Sequence, residues 1–161
     1  MRDAKPSGKL ASALFALPVP WVFVLAYLVG VGFEAIFHPG RLINYGFLTP
    51  TGTLVFLLGG ALAAWGWLIF QSKGTTRVPG EASSTLVTWG PYRFTRNPMY
   101  AGLAIAYLGE AFIQHQVIPI VFLPLVIAYL NRVVIPVEEE RLQAVFGPEY
   151  QRYAVRVRRW L

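Results

Sequence analysis

Apolar and polar positions fall into long blocks along this chain, with no short-period alternation of the kind a strand shows. Four stretches are almost wholly apolar: residues 10–33 ("LASALFALPVPWVFVLAYLVGVGF"), 52–70, 99–113 and 118–137. A helix needs about 20 apolar residues to cross the ~30 Å hydrocarbon layer of a bilayer. The first, second and fourth stretches come close to or exceed that length, and the third is shorter. The pattern predicts an all-α, polytopic membrane helix bundle, a single membrane domain over residues 1–161 with about four transmembrane helices. Pro18 and Pro20 delay or kink the start of the first helix, and Pro124 kinks the fourth. The first stretch is longer than the ~7–15 residue core of a signal peptide. Gly59, Gly60, Ala63, Ala64 and Gly66 give the second stretch a small-residue face suited to close packing in lipid, and this face also permits a homodimer. Few polar residues separate the third and fourth stretches, so a tight antiparallel hairpin is expected.

From Glu138 the pattern changes. Leu142, Val145, Phe146, Tyr150, Tyr153 and Val157 recur at helical steps, interrupted by Gly147-Pro148, which suits one helix ending and another beginning. Arg152, Arg156 and Arg159 are expected together on another face. Residues 138–161 therefore read as an amphipathic helical tail that lies against an anionic leaflet.

Composition sharpens the membrane assignment. The chain is 55% hydrophobic and 14% charged, where a soluble domain carries about 25% charged residues. Without cysteine there is no thiolate chemistry, disulfide or thiolate-ligated metal. His38 and His115 stand far apart, so no metal site is expected. The net charge of +6 is sorted between the apolar blocks. Arg2, Lys5 and Lys9 precede the first; Lys73, Arg77, Arg93 and Arg96 fill the middle loop; Arg141, Arg152, Arg156, Arg158 and Arg159 come after the last, while Arg41 alone falls in the first connection and the third connection has none. Basic residues alternating between loops are the positive-inside signature. It puts both termini and the middle loop in the cytoplasm, and it accounts for the charge without nucleic acid as a partner. Compactness points to a prokaryotic cytoplasmic membrane. Residues 1–9 and 71–84 are expected to be the least ordered.

Three groups of residues suggest chemistry. Glu138, Glu139 and Glu140 come directly after the last apolar block, at headgroup level, among basic neighbours. They either favour a helix start through the dipole or hold a cation; a last span continuous with the tail would leave no fresh helix start. The second group is "RNPMY", Arg96 to Tyr100. Pro98 suits the first turn of a helix and Asn97 its N-cap, while Tyr92, Tyr100 and Trp89 fit an interfacial aromatic belt. Together these residues surround a helix N-terminus, whose free amides form an anion site. The third group is the pair of ionisable residues within the apolar blocks, Glu110 and Arg132. Such residues face a cavity or a partner in lipid. Arg132 lies roughly 20 Å below the hairpin at ~1.5 Å per residue, within reach of the glutamates, unless its side chain snorkels to the interface.

"LVTWGPYRFTRNPMYAG" followed by "EEERLQAVFGPEYQRYAVRVRRW" resembles the isoprenylcysteine carboxyl methyltransferase and phospholipid methyltransferase superfamily of integral membrane enzymes. The likeness covers about residues 84–160. It implies S-adenosyl-L-methionine as cofactor, a lipophilic or membrane-embedded acceptor and membrane lipids as surroundings. The family's arginine-histidine-proline-x-tyrosine segment and the loop before it imply Leu86, Val87, Tyr92, Asn97, Pro98, Met99 and Tyr100 as cofactor residues. Its paired glutamates fall on Glu138 and Glu139. Asn97 stands where the eukaryotic prenylcysteine enzymes carry histidine, and Arg158 where many relatives carry proline.

The residue chemistry agrees with that implication. Glu138 and Glu139 suit the cofactor's ammonium, the third helix's N-terminus with Arg96 suits its carboxylate, and Tyr92 with Leu86 and Val87 offers surface for adenine. Methyl transfer needs alignment and a dry site more than acid–base help, so Tyr100 and Arg132 are the candidate catalytic residues, Arg132 for an anionic part of the acceptor. Two other functions fit less well. An NADPH-dependent sterol-reductase-like enzyme would bring negative phosphates beside the glutamates, and a membrane scaffold would leave them without a ligand.

Overall fold

The computed structural model describes residues 18–37, 46–72 and 85–161. The expected start of the first helix at residues 10–17 and the basic residues Arg2, Lys5, Lys9, Arg41, Lys73 and Arg77 lie outside the described residues, as does His38. All regular structure among the described residues is helical. Helix α1 spans Val19–Phe37 and α2 spans Leu48–Ser72. A 3₁₀ turn, Gly90–Arg93, leads to α3, Pro98–Ile113. Then come α4, Ile118–Tyr129, a π-helical turn, Leu130–Val134, and α5, Ile135–Phe146. The last helix, α6, is Pro148–Arg156. Three stretches are long and apolar enough to cross a membrane, Val19–Phe37, Leu48–Gln71 and Ile118–Phe146, and α3 is a shorter apolar helix. This is an integral membrane helix bundle.

The extensive interface lies between α2 and α3, while α4 packs chiefly on α1. The hairpin at residues 114–117 is as tight as expected, but its two arms take different main partners. Glycine spacing explains the choice. Gly52, Gly59 and Gly66 repeat every seven residues on α2; the first two meet Gly109 and Gly102 on α3, and Gly66 meets Pro98 and Met99. A Cβ on Gly59 would stand 2.6 Å from the Gly102 carbonyl oxygen, and one on Gly109 would stand 2.7 Å from the Phe56 Cα. Such backbone-to-backbone approach is what small residues allow in lipid. Gly59, Ala63 and Gly66 of the expected small-residue face are thus used within the chain, whereas a Cβ on Gly60 would meet nothing within 4 Å.

The far end of the bundle is tied by polar groups. Glu34, near the end of α1, accepts hydrogen bonds from the backbone nitrogens of Val117 (3.1 Å) and Ile118 (2.7 Å) and so caps α4 from another helix. Tyr107 donates to the Pro119 carbonyl (2.8 Å) and Tyr27 to Gln116 (2.9 Å). Glu110 belongs to this end too, accepting from Gln114 at 3.1 Å.

The fourth apolar block does run on into the tail. Pro136 has no N–H for the Arg132 carbonyl one turn earlier, and its ring crowds that turn. The helix widens there, with the Ile135 nitrogen donating to Leu130. One added residue advances the phase of the downstream helix by about 100°. Glu138 and Glu139 emerge half-buried, and Arg132 and Glu140 exposed. The helix-start reading of the glutamates fails for this reason: the helix is already under way.

Candidate active site

Helix α3 has 16 residues, which at ~1.5 Å per residue extend about 24 Å, short of the ~30 Å apolar layer. Its first turn therefore sits low against α2, and the chain must reach it through an ordered polar segment. Tyr92, at the 3₁₀ turn, is buried and donates from its hydroxyl to the Gly66 carbonyl (3.3 Å). With Val87 and Ile69 it forms a small apolar cluster on α2. Leu86 beside them is half-buried. Pro98 is fully buried at the start of α3, and Met99 packs against both Gly66 and the main core of Phe23, Tyr107, Val126, Leu130 and Ile135.

Tyr100 and Glu138 meet. The Tyr100 hydroxyl donates to the Glu138 carboxylate at 2.6 Å, joining the first turns of α3 and α5 across 38 residues of chain. Next to them Glu139 accepts from two guanidiniums. Arg96 approaches at 3.0 Å, and Arg159 donates through Nε, also at 3.0 Å, and through a second nitrogen. The hydrogen bond to Glu139 raises the Arg159 pKa above its ordinary value. The Arg96 Nε is buried with no acceptor among the described residues.

Asn97 occupies the N-cap position of α3, as its proline neighbour suggests, but its side chain makes no cap bond. It donates instead to the Arg159 carbonyl (3.0 Å). The C-terminal segment beyond α6, residues 157–161, is an irregular strap that crosses the loop at residues 95–97. Arg96 donates from its backbone to Arg158 (2.8 Å), Thr95 from its hydroxyl to Arg159 (2.8 Å), and Trp160 from its indole to Asn131 in the π turn (2.8 Å). Arg159 thus leaves the face shared by Arg152 and Arg156, contrary to the periodic reading, because the helix ends at Arg156 and the strap that follows turns it toward Glu139.

Thr95 belongs to none of the motifs in the sequence, yet its side chain is fully buried and joins two segments. It donates to the strap and accepts from the Asn97 nitrogen (3.1 Å). Loss of a buried hydrogen bond with its partners left behind costs ~1–3 kcal/mol. Thr95→Val is expected to lower unfolding stability in detergent by about 2 kcal/mol, with a larger loss of protection from C-terminal proteolysis than Thr95→Ser shows.

Helix α6 is fixed by two tyrosines. Tyr153 donates to the Tyr92 carbonyl (2.8 Å), and burial, followed by its tyrosine neighbours, pushes its pKa well up. Tyr150 shifts in the same direction, mainly through burial and then through Glu139, with Arg96 and Arg159 opposing. Both hydroxyls are accordingly neutral groups at physiological pH.

The expected site residues divide accordingly. Arg96, Asn97, Tyr100, Glu138 and Glu139 come together with the C-terminal strap. Leu86, Val87, Tyr92, Pro98 and Met99 form the packed wall on the α2 side. Arg132 is exposed on the π turn and makes no hydrogen bond or ion pair with another described residue, so it is not brought to the glutamates.

Residues 48–149 match the family model described as "Phospholipid methyltransferase". The chain is also similar to Protein-S-isoprenylcysteine O-methyltransferase B of Arabidopsis thaliana, 29% identical over 154 residues that cover 94% of this chain and 75% of that protein. A probable protein-S-isoprenylcysteine O-methyltransferase of Oryza sativa subsp. indica is 29% identical over 127 residues, covering 77% of this chain and 65% of the rice protein. These relatives are plant proteins, and they lend no support to the expectation of a prokaryotic membrane. The match includes the 3₁₀ turn, the Arg96–Tyr100 segment and the glutamates, and ends before the Arg158–Trp160 strap.

Proposed function

The chain belongs to the phospholipid methyltransferase family and is a membrane methyltransferase, and on that premise we propose that it transfers the methyl group of S-adenosyl-L-methionine to a lipophilic, membrane-embedded acceptor at the cytoplasmic face. The observation that carries this reading is the pairing of Tyr100 with Glu138 and of Arg96 with the adjacent Glu139 at the buried N-terminus of α3.

The donor set fits a sulfonium amino acid. A zwitterionic head needs an anionic and a cationic partner a few ångströms apart. Glu138, accepting from the Tyr100 hydroxyl, is the carboxylate for the ammonium. Glu139 is already offset by Arg96 and Arg159, so its role is to hold Arg96 in place. The buried Nε of Arg96, lacking an acceptor among the described residues, suits the ligand carboxylate, with the first amides of α3 beside it. Leu86, Val87 and Tyr92 supply the apolar border for the adenine, and Pro98 and Met99 complete the wall.

The bound cofactor supplies an electrophilic methyl group on a positively charged sulfur. The protein's part is to align that methyl with an incoming lone pair and to keep water out. Tyr100, fixed by Glu138, orients the acceptor atom. A carboxylate or thiolate acceptor is already nucleophilic and needs no base; an amine must lose its proton to solvent before it attacks, because the Tyr100 hydroxyl keeps its own proton for Glu138. Arg132, exposed at headgroup level on the π turn, meets an anionic part of an acceptor that enters from the bilayer. The isoprenylcysteine relatives and the phospholipid family name both fit a lipid-linked acceptor. The positive-inside pattern supports cytoplasmic termini, and the outward-facing Gly60 leaves room for a second copy of the chain.

Calorimetric titration of the full chain in detergent with S-adenosylhomocysteine, run beside NADPH, tests the reading. Saturable binding of the adenosyl ligand alone is expected. Binding of NADPH in its place would overturn the cofactor assignment.

A further inference from the structure

A second polar feature lies outside the methyl-transfer site. An open cleft of about 560 Å³ between the 3₁₀ turn and α6 is lined by Thr88, Arg93, Glu149, Arg152, Tyr153 and Arg156. None of Arg96, Asn97, Tyr100, Glu138 or Glu139 borders it. Its construction is local. Arg152 and Arg156 are one helical turn apart on α6 and share a face. Arg93 ends the 3₁₀ turn, and the bond from Tyr153 to the Tyr92 carbonyl holds the two elements together.

The lining has three guanidiniums and one carboxylate. Arg93, Arg152 and Arg156 form no ion pair with another described residue, unlike Arg96 and Arg159, which pair with Glu139. Like charges one turn apart repel, and a third brought in from another element adds to that repulsion. An anion in the cleft would relieve it. Guanidinium groups match phosphate oxygens in geometry, with two parallel hydrogen bonds each.

The surroundings indicate where that phosphate comes from. Trp89 and Phe94 flank the 3₁₀ turn at 47% and 66% exposure, and Val155, between the two α6 arginines in sequence, is 87% exposed. Bare apolar side chains around a cationic cleft are unfavourable in water. They are favourable in a headgroup layer, where rings and aliphatic groups enter the acyl boundary while arginines stay with the phosphates. We infer that this cleft binds the phosphate of an anionic phospholipid, and that the contact docks α6 and the 3₁₀ turn on the leaflet beside them. None of the residues that line the cleft is assigned to methyl transfer, and of Tyr92 only the backbone carbonyl is used here.

The test is thermal unfolding of the detergent-purified full chain titrated with short-chain phosphatidylglycerol, with phosphatidylcholine, inorganic phosphate and NADPH as parallel arms. Phosphatidylglycerol is expected to raise the melting temperature saturably. The half-effect concentration should rise roughly fivefold for each arginine removed near an anionic surface. Arg152→Gln with Arg156→Gln should therefore shift it by about 25-fold, and Arg141→Gln, an exposed arginine on α5, should leave it unchanged. Arg93→Gln alone, read by lipid retention in native mass spectrometry, gives the same answer if the double variant folds poorly. Equal shifts from phosphatidylcholine, a full shift from inorganic phosphate or NADPH, or an undiminished response in these variants would overturn the inference.

Discussion

Glu138→Gln is expected to weaken S-adenosylhomocysteine binding by about 100-fold while leaving the protein folded. Glutamine keeps the volume of the side chain and an oxygen that accepts from the Tyr100 hydroxyl, now 2.6 Å away. What it removes is the negative charge. A hydrogen bond to a charged group contributes about 1.5–3 kcal/mol, and leaving a buried charge without its counter-ion costs about 3–5 kcal/mol. Here the stranded charge would be the ligand's ammonium, which retains some water, so a loss near 3 kcal/mol is expected, or about two decades in affinity. Glu140→Gln, one residue further along and exposed, is the matched control. Glu139→Gln should behave differently from both. It releases Arg96 and Arg159 together, so the strap loosens as well as the ligand. Calorimetry on the three variants separates the roles. An unchanged Kd in Glu138→Gln would remove Glu138 from the cofactor site.

Hydropathy makes the helical bundle legible because a membrane helix writes its length directly into the sequence. The position of α3 is legible for a similar reason, since Pro98 fixes where a helix can begin. The meeting of Arg96–Tyr100 with Glu138 is visible through the resemblance, and local chemistry alone puts both groups at one membrane edge. Partner choice within the bundle is harder to read. A small-residue face says that something approaches closely, not whether it is another helix of the chain or a second copy. Only the matching seven-residue spacing of Gly102 and Gly109 identifies α3 as the partner. Depth along the helix puts Arg132 near the glutamates but leaves out side-chain direction, which the π turn changes. The Pro136 that causes the widening stands four residues later, and its effect on side-chain direction appears only once the turn is built. Thr95 and the strap carry no signal of their own. The Thr95 hydroxyl and the Arg96 nitrogen bond to backbone carbonyls, which every residue possesses, and the strap's side-chain bonds, Arg159 to Glu139 and Trp160 to Asn131, join residues too far apart in sequence for a local pattern to pair them. Glu34 is hidden because it lies just past the expected end of the first helix, and its cap is on another helix.

Gly59→Ala and Gly60→Ala differ by one position and should have opposite effects. A methyl group on Gly59 would stand 2.6 Å from the Gly102 carbonyl oxygen and 2.9 Å from the Ala106 Cα. Both are backbone atoms of α3, which cannot rotate aside as a flexible side chain would. The helices must separate, and the contacts at Gly52–Gly109 and Gly66–Met99 along the same seam loosen with them. Overpacking a tight interface costs about 1–3 kcal/mol, and the absence of a yielding side chain puts this case at or above the upper end. At Gly60 nothing lies within 4 Å, so alanine adds only helix propensity, up to about 1 kcal/mol of stabilisation. Denaturant unfolding in detergent measures both. The consequence reaches the active site, since α3 carries Tyr100 toward Glu138, and a shift of its first turn by ~1 Å degrades an aligned site by about 100-fold. Gly59→Ala is therefore expected to lose adenosyl-ligand affinity along with stability, and Gly60→Ala to lose neither. Equal stability of the two variants would mean that α2 and α3 do not meet through Gly59.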